Sequence, residues 1–291
     1  MTAFVADPVY LNGEFLPLAA ARVSPLDRGF VYGDGVYEVI PVYSRQAFRI
    51  DEHLKRLQHT LDGIQLANPL TVDAWKAVVF KLIEAAPWDD QSIYLQVTRG
   101  ADDKRDHAFP PASVAPTTFA FASPLVTPTA ELRARGVSAI TVPDQRWMHC
   151  DLKVISLLPN VLARQAAVAR GCAEAILIRE GWMKEGAASN IFVVQNGILL
   201  APPKTQFMLP GITYDVILEL AEAHGQPLQV REIAEAELRA ADEVWMTSST
   251  KEILAITRLD GQPVGTGRPG PYGEQMWQWY QDFKNTHMRQ G

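Results

Sequence analysis

The spacing of apolar and polar positions changes several times along the chain, and each change marks an element. Tyr10-Leu-Asn-Gly-Glu-Phe-Leu16 turns on Asn12-Gly13, the dipeptide suited to a two-residue hairpin. Residues 35–43 are rich in β-branched and aromatic side chains and are predicted as a long strand. Beyond Asp51, expected as an N-cap, Leu54, Leu57 and Leu61 recur at helical spacing while Lys55, Gln58 and His59 fall off that stripe. An amphipathic helix is predicted there, and a second from Thr71 to about Glu84. Strands are expected at 92–99 and 117–122.

Ser123-Pro-Leu-Val-Thr-Pro128 does not readily continue regular structure and is expected as a linker. It separates a smaller α/β domain, residues 1–122, from a larger one, residues 129–291. In the second part, strands are predicted at 137–142, 173–178, 191–194, 198–200, 243–247 and 252–259. Helices are predicted at 160–170, 213–223 and 272–284. No internal repeat or low-complexity tract interrupts this order. It implies an α+β or α/β fold of two domains, with chemistry expected in the crevice between them.

Composition narrows the partners. The 291 residues suffice for two domains and a large core, and 47% hydrophobic with 21% charged residues is ordinary for a globular protein. A net charge of −6 gives no basic footprint for nucleic acid and disfavours anionic membranes. The N-terminus lacks the basic start and apolar stretch of a signal peptide, and no apolar run approaches membrane-spanning length. Cys150 and Cys172 make no metal-ligand pattern and are expected as free thiols in a reducing cytoplasm. His53, His59, His149, His224 and His287 show no metal spacing, so no metal is expected.

Several polar groups are candidates for chemistry. Lys153 is flanked by apolar Trp147-Met148 and Val154-Ile155; apolar surroundings lower a lysine's pKa and make it a nucleophile. Glu185 directly precedes Gly186-Ala-Ala-Ser-Asn190. Pro210-Gly211-Ile212-Thr213 opens a helix whose N–H groups suit an anion, and Thr247-Ser248-Ser249-Thr250 clusters hydroxyls at a strand end. Arg105-x-His107 lies on a loop and can hold a carboxylate, with the Tyr37 phenol as a further donor. Each feature alone has a plain alternative: a solvated lysine, a turn glutamate, simple capping, a mixed-charge loop. Arg56 alone reads equally as a surface helix arginine. Arg28, Arg49 and Arg99 are expected in structural pairs, and Arg146 is near enough to Lys153 in sequence to support it.

Taken in order, Gly33-Asp-Gly-Val-Tyr-Glu38, Arg56, Arg105-x-His107, Lys153, Glu185-Gly-x-x-Ser-Asn190, Pro210-Gly-Ile-Thr213 and Thr247-Ser-Ser249 are more specific. From about Val9 to Leu259 the chain resembles the fold-type-IV (class IV) aminotransferases that depend on pyridoxal 5′-phosphate, and within them the bacterial D-amino acid transaminases. The resemblance implies a two-domain α/β enzyme in which Lys153 attaches the cofactor and carries the proton between substrate Cα and cofactor C4′. It implies that Glu185 keeps the ring nitrogen protonated, the condition for an electron sink. Arg56, Gly211, Ile212, Thr213, Ser248 and Ser249 would bind the phosphate. Tyr37, Arg105 and His107 would bind the substrate carboxylate, the Arg-x-His loop coming from the other subunit of a homodimer. The implied reaction moves an amino group from D-alanine or another D-amino acid to 2-oxoglutarate, giving pyruvate or another 2-oxo acid and D-glutamate.

Two departures stand out. Ala187 and Ala188 replace hydroxyl residues common in relatives, and the loop before Arg105 is one residue longer than in Gram-positive relatives. Rival readings share the cofactor apparatus: a branched-chain L-amino acid transaminase, an (R)-amine transaminase, or an aminodeoxychorismate lyase that eliminates pyruvate. A cofactor-free binding protein on the same fold is the non-enzyme alternative, which Lys153 and Glu185 together disfavour.

Overall fold

A computed structural model describes residues 4–290. The chain divides into two units. The first runs to Leu125 and takes in Leu152–Leu157 and the residues from Thr286; the second comprises Val126–Asp151 and Leu158–Asn285.

The first unit is built on an antiparallel sheet of β1 (Val9–Leu11), β2 (Glu14–Leu16), β3 (Gly35–Tyr43), β4 (Gln46–Ala47), β5 (Gln91–Thr98) and β6 (Thr117–Pro124), in the order β2-β1-β6-β5-β3-β4. Asn12 and Gly13 both take positive φ, 48° and 96°, as the hairpin between β1 and β2 requires. Helices α1 (Arg28–Tyr32), α2 (Ile50–Gly63) and α3 (Val72–Ala85) complete the unit.

The period of two along β3 and β5 sorts side chains between two faces. Val36, Ile40 and Val42 join Ile93, Leu95 and Val97 in a core with Leu54, Leu57 and Leu61 of α2 and Trp75, Val79 and Leu82 of α3. Glu38 belongs to this helix-covered face by the same alternation, and is fully buried. Tyr37 points the other way, stacked at 5.7 Å on Tyr94, which stacks at 5.1 Å on Phe121. Leu61, with no exposed surface, sits centrally in the core. Leu61→Ala is expected to cost about 2–5 kcal/mol, the usual range for a buried leucine truncation, read as a lower urea midpoint at unchanged slope.

The second unit holds β7 (Val137–Pro143), β8 (Glu174–Arg179), β9 (Trp182–Gly186), β10 (Asn190–Gln195), β11 (Ile198–Ala201), β12 (Leu228–Val230), β13 (Ile233–Ala234), β14 (Glu243–Ser248), β15 (Glu252–Leu259) and β16 (Gln262–Pro263). They run β12-β11-β10-β14-β15-β7-β8-β9-β13, with β16 beside β15. The sheet is mixed: β15 with β7, β7 with β8, and β11 with β12 are parallel. Around it lie α4 (Ala130–Arg135), α5 (Leu158–Val168), α6 (Ile212–Ala223), α7 (Glu235–Arg239) and α8 (Pro271–Phe283). Val137, Ala139, Ile191, Val193, Val244, Met246, Leu254 and Ile256 form its main core. Among the described residues no helix is long and apolar enough to cross a membrane.

Three expectations are corrected. Asp51 does not cap α2: the helix begins at Ile50 behind Arg49, which is left-handed at φ 50°, and Asp51 lies in the first turn, paired with Lys76 at 2.6 Å. The expected linker starts too early, because Ser123 and Pro124 continue β6 opposite Ser92 and Gln91. A proline is tolerated at a strand's end. The Lys153 segment, expected in the second domain, belongs to the first unit, because its backbone pairs with β3.

Candidate active site

Lys153 is placed by backbone pairing. The edge of β3 that pairs with β4 at Val42 and Tyr43 is free at its other end, and Val154 bridges antiparallel to Val36 there. Tyr37 N–H donates to the Lys153 carbonyl at 3.0 Å, and Ile155 N–H to the Gly35 carbonyl at 3.0 Å. Lys153 N–H donates to Thr60 Oγ1 at 3.3 Å. Leu152 and Val154 point into the interior, so the half-buried Lys153 projects between them to the other side. Its Nζ lies 4.2 Å from the Tyr37 ring centroid. Trp147 and Met148, expected to shelter the lysine, are exposed.

Arg56 is tied down from the core face of β3. Its Nε and Nη2 donate to Glu38 at 2.7 and 2.8 Å. His53, one helical turn earlier, places Nδ1 2.8 Å from the same carboxylate. Burial pushes the Glu38 carboxyl up, but the Arg56 charge and hydrogen bonds, aided by His53, hold it well below the usual carboxylate range. Burial is also the main cause lowering His53, whose Nε2 is buried without a hydrogen-bond partner. From the sequence, Glu38 is only the end of a motif and His53 only a histidine without metal spacing; their pairing around Arg56 is not foreseen. The signal was available, because alternation from Val36 puts Glu38 in the core, where a carboxylate requires a cation.

The three residues expected to bind a carboxylate are not brought into mutual contact. Arg105 and His107 are exposed on a loop, both beside Tyr32: the Arg105 Cζ is 5.1 Å from its ring and the His107 ring 5.3 Å away. Among the described residues no hydrogen bond, ion pair or ring contact joins either to Tyr37. The loop is held from beneath. Buried Arg28 donates to the carbonyls of Asp106 at 2.7 Å and Ala108 at 3.1 Å. Asp34 in turn accepts from both Arg28 and Arg99, so these two arginines are structural, as expected.

In the second unit, Glu185 is buried near the end of β9. Arg146 forms an ion pair with it, Leu209 N–H donates to it at 3.2 Å, and Asn190 Nδ2 at 3.3 Å. Burial pushes the Glu185 carboxyl up to about 7 against the opposing pull of Arg146. Arg146 is held by Asp144, to which Nε and Nη2 donate at 2.9 and 3.0 Å, and Arg179 approaches Asp144 from the other side at 3.1 Å. Asp144 and Arg179 were not anticipated, since neither matches a motif. The turn after Glu185 is fastened by buried Glu174, which accepts from Ser189 Oγ at 2.7 Å and Ala187 N–H at 3.1 Å. Ala187 packs among Ile140, Ala167 and Ala175.

The anion-binding candidates also belong to this unit. Gly211 precedes α6 with no side-chain cap, which leaves the first-turn N–H groups, including those of Ile212 and Thr213, without carbonyl partners inside the helix. A Cβ at Gly211 would lie 2.1 Å from Asn190 Oδ1, so any larger residue there would have to displace that amide, which Nδ2 ties to the Leu209 carbonyl. At the end of β14, Thr247 Oγ1 is buried without a hydrogen-bond partner, while Ser248 Oγ accepts from Lys251 N–H at 3.1 Å. A phosphorylated pyridine cofactor asks for an amine, a buried carboxylate and neutral donors with spare capacity. Lys153, Glu185, the uncapped start of α6 and the orphaned Thr247 hydroxyl meet those needs.

Comparison with known proteins agrees with this chemistry. A family model, "Amino-transferase class IV", matches residues 35–259. A D-alanine aminotransferase of Staphylococcus epidermidis is 37% identical over 279 residues, 96% of this chain and 98% of that protein. Its counterpart in Bacillus licheniformis is 38% identical over 263 residues, 90% of this chain and 92% of that one. Among solved structures, the branched-chain amino acid aminotransferase of Escherichia coli superposes with a TM-score of 0.89 at 27% identity, covering 95% of this chain and 94% of that one. That of Thermoproteus uzoniensis, solved with norvaline, gives 0.86 at 27% identity, covering 98% and 97%. With its strand order, its buried carboxylate and this similarity along nearly its whole length, the chain belongs to the class IV aminotransferases and has their fold.

Proposed function

We propose that this aminotransferase is a D-amino acid transaminase, transferring the amino group of D-alanine and similar D-amino acids to 2-oxoglutarate. The observation that carries the reading is the Arg105-x-His107 loop, two exposed donors on a backbone that buried Arg28 holds in place. Extended similarity to D-alanine aminotransferases supports it. The solved relatives with high TM-scores are branched-chain enzymes, so overall fold does not separate the two substrate classes. Placement of the carboxylate does, because it fixes which face of the cofactor the Cα–H bond meets. The test is the rate with D-alanine against L-alanine, with 2-oxoglutarate as acceptor. Equal rates, or preference for L-alanine or an L-branched-chain substrate, would reject the reading.

The residues divide the work. Pyridoxal 5′-phosphate, when bound, supplies an electron sink for the charge left at Cα. Lys153 Nζ would hold the cofactor covalently and, once the substrate amine has displaced it, the freed amine would carry the proton from Cα to C4′. Glu185 holds the proton on the ring nitrogen. Arg56, Gly211, Ile212, Thr213, Ser248 and Ser249 bind the phosphate, and Tyr37, Arg105 and His107 the substrate carboxylate. The protein works in the cytoplasm as a homodimer, with the Arg105 loop serving the partner's site. This accounts for the separation of that loop from Tyr37 within one chain.

Arg105→Leu is expected to raise the KM for D-alanine by about 30-fold or more, the loss of a charge-assisted contact of roughly 2 kcal/mol. Cofactor affinity and turnover of simple (R)-amines, which have no carboxylate, should change far less. Mixing Arg105→Leu subunits, assayed at D-alanine concentrations far below their raised KM, with inactive Lys153→Ala subunits should raise the activity, since one site of a heterodimer then has both groups. Subunit exchange confirmed by mass spectrometry without recovered activity would overturn the shared site.

A further inference from the structure

The end of β14 and the turn that follows it carry Thr247, Ser248 and Ser249, and the far side of that turn is fixed by a device that the site does not otherwise use. Glu252 begins β15 opposite Ser248. It is left-handed at φ 53°, a conformation non-glycine residues seldom adopt unless surrounding contacts impose it. It is also buried, and both carboxylate oxygens are engaged by the C-terminal end of the chain. Lys284 Nζ donates to one at 2.6 Å, and Gln281 Nε2 of α8 to the other at 2.9 Å. Lys284 is itself buried, and it follows α8 directly.

We infer that Lys284 and Glu252 are positioning residues for cofactor phosphate, the pair holding the β14–β15 turn so that its hydroxyls face a common anion. This rests on assigning Ser248 and Ser249 to the phosphate, and extends that site to α8. A buried carboxylate that loses its cation is left uncompensated and moves toward water. Only three residues separate Ser248 from Glu252, and Lys251 N–H is already tied to Ser248 Oγ, so Glu252 cannot shift without carrying the donors along.

The test is cofactor affinity of the full-length protein, stripped of cofactor and titrated by absorbance with pyridoxal 5′-phosphate and, separately, with pyridoxal. Lys284→Met is expected to raise the Kd for the phosphorylated form about tenfold while changing that for pyridoxal less than about twofold. Gln281→Leu removes one neutral hydrogen bond from the same carboxylate, and is expected to act in the same direction by about threefold, so the question survives if Lys284→Met does not fold. Ser248→Ala separates the two levels. If Ser248→Ala leaves the phosphorylated and unphosphorylated affinities in their wild-type ratio, the phosphate assignment itself fails. If it lowers that ratio while both α8-side variants leave it unchanged, or weaken both ligands equally, the positioning role alone is overturned.

Discussion

Lys153→Ala is expected to abolish transamination and leave the fold intact. The segment is held by its backbone: Tyr37 N–H, Thr60 Oγ1 and the Gly35 carbonyl bond main-chain groups of Lys153 and Ile155. Leu152 and Val154 provide its packing. Alanine preserves all of these and removes only the amine, which is half-buried over the Tyr37 ring. The amine is assigned both the covalent hold on the cofactor and the proton transfer. A positioned general acid–base alone contributes about 10²–10⁴-fold, so losing both roles should exceed roughly 10⁴-fold. Unchanged thermal unfolding with no detectable turnover is the expected pair of results. Borohydride reduction of the wild type, followed by peptide mapping, should find the cofactor on Lys153; a label on another lysine would reject the assignment.

Elements with strong periodicity were legible from the sequence. Strand β3 falls where its β-branched and aromatic content predicts, helix α3 begins behind Thr71, the Leu54-Leu57-Leu61 stripe lies on α2, and the Asn12-Gly13 turn lies between strands. Short pieces such as α4, α7, β12 and β13 were not, because two to six residues carry too little pattern to stand above their surroundings. The placement of Lys153 was illegible for another reason. Its neighbours in sequence lie in the second unit, and its pairing with β3 is a contact between residues more than a hundred positions apart.

The same distinction runs through the site. Motif residues such as Lys153, Glu185 and Gly211 could be named because their order resembles that of the class IV aminotransferases, but the groups that tune them came from elsewhere in the chain. Glu38 was within reach of alternation counting, whereas Glu174 acts through Ser189, 15 positions away, and Asp144 ties Arg146, two positions on, to Arg179, 35 positions away, a link that no single segment displays. Arg146 illustrates the limit. Its nearness to Lys153 in sequence suggested a role there, yet its side chain serves Glu185 and Asp144.

Glu185→Ala is expected to retain some cofactor and lose about 30- to 1000-fold in rate, the effect of removing one charge interaction worth on the order of 2–4 kcal/mol at the barrier. Burial holds the Glu185 carboxyl near 7 even with Arg146 beside it, so it gives up its charge more readily than an ordinary carboxylate. A protonated ring nitrogen would supply a second cation, and the carboxylate would in return keep the proton on the ring while negative charge develops at Cα. Survival of the fold follows from the wiring behind it: without Glu185, Arg146 still donates twice to Asp144 and once to the Phe207 carbonyl. Glu185→Gln sharpens the test. The amide oxygen can still accept from Leu209 N–H, so stability should recover relative to alanine, but the amide carries no negative charge and the rate should not. Stability and rate recovering together in the glutamine variant would assign Glu185 a packing role. Wild-type turnover in the alanine variant would remove it from the site.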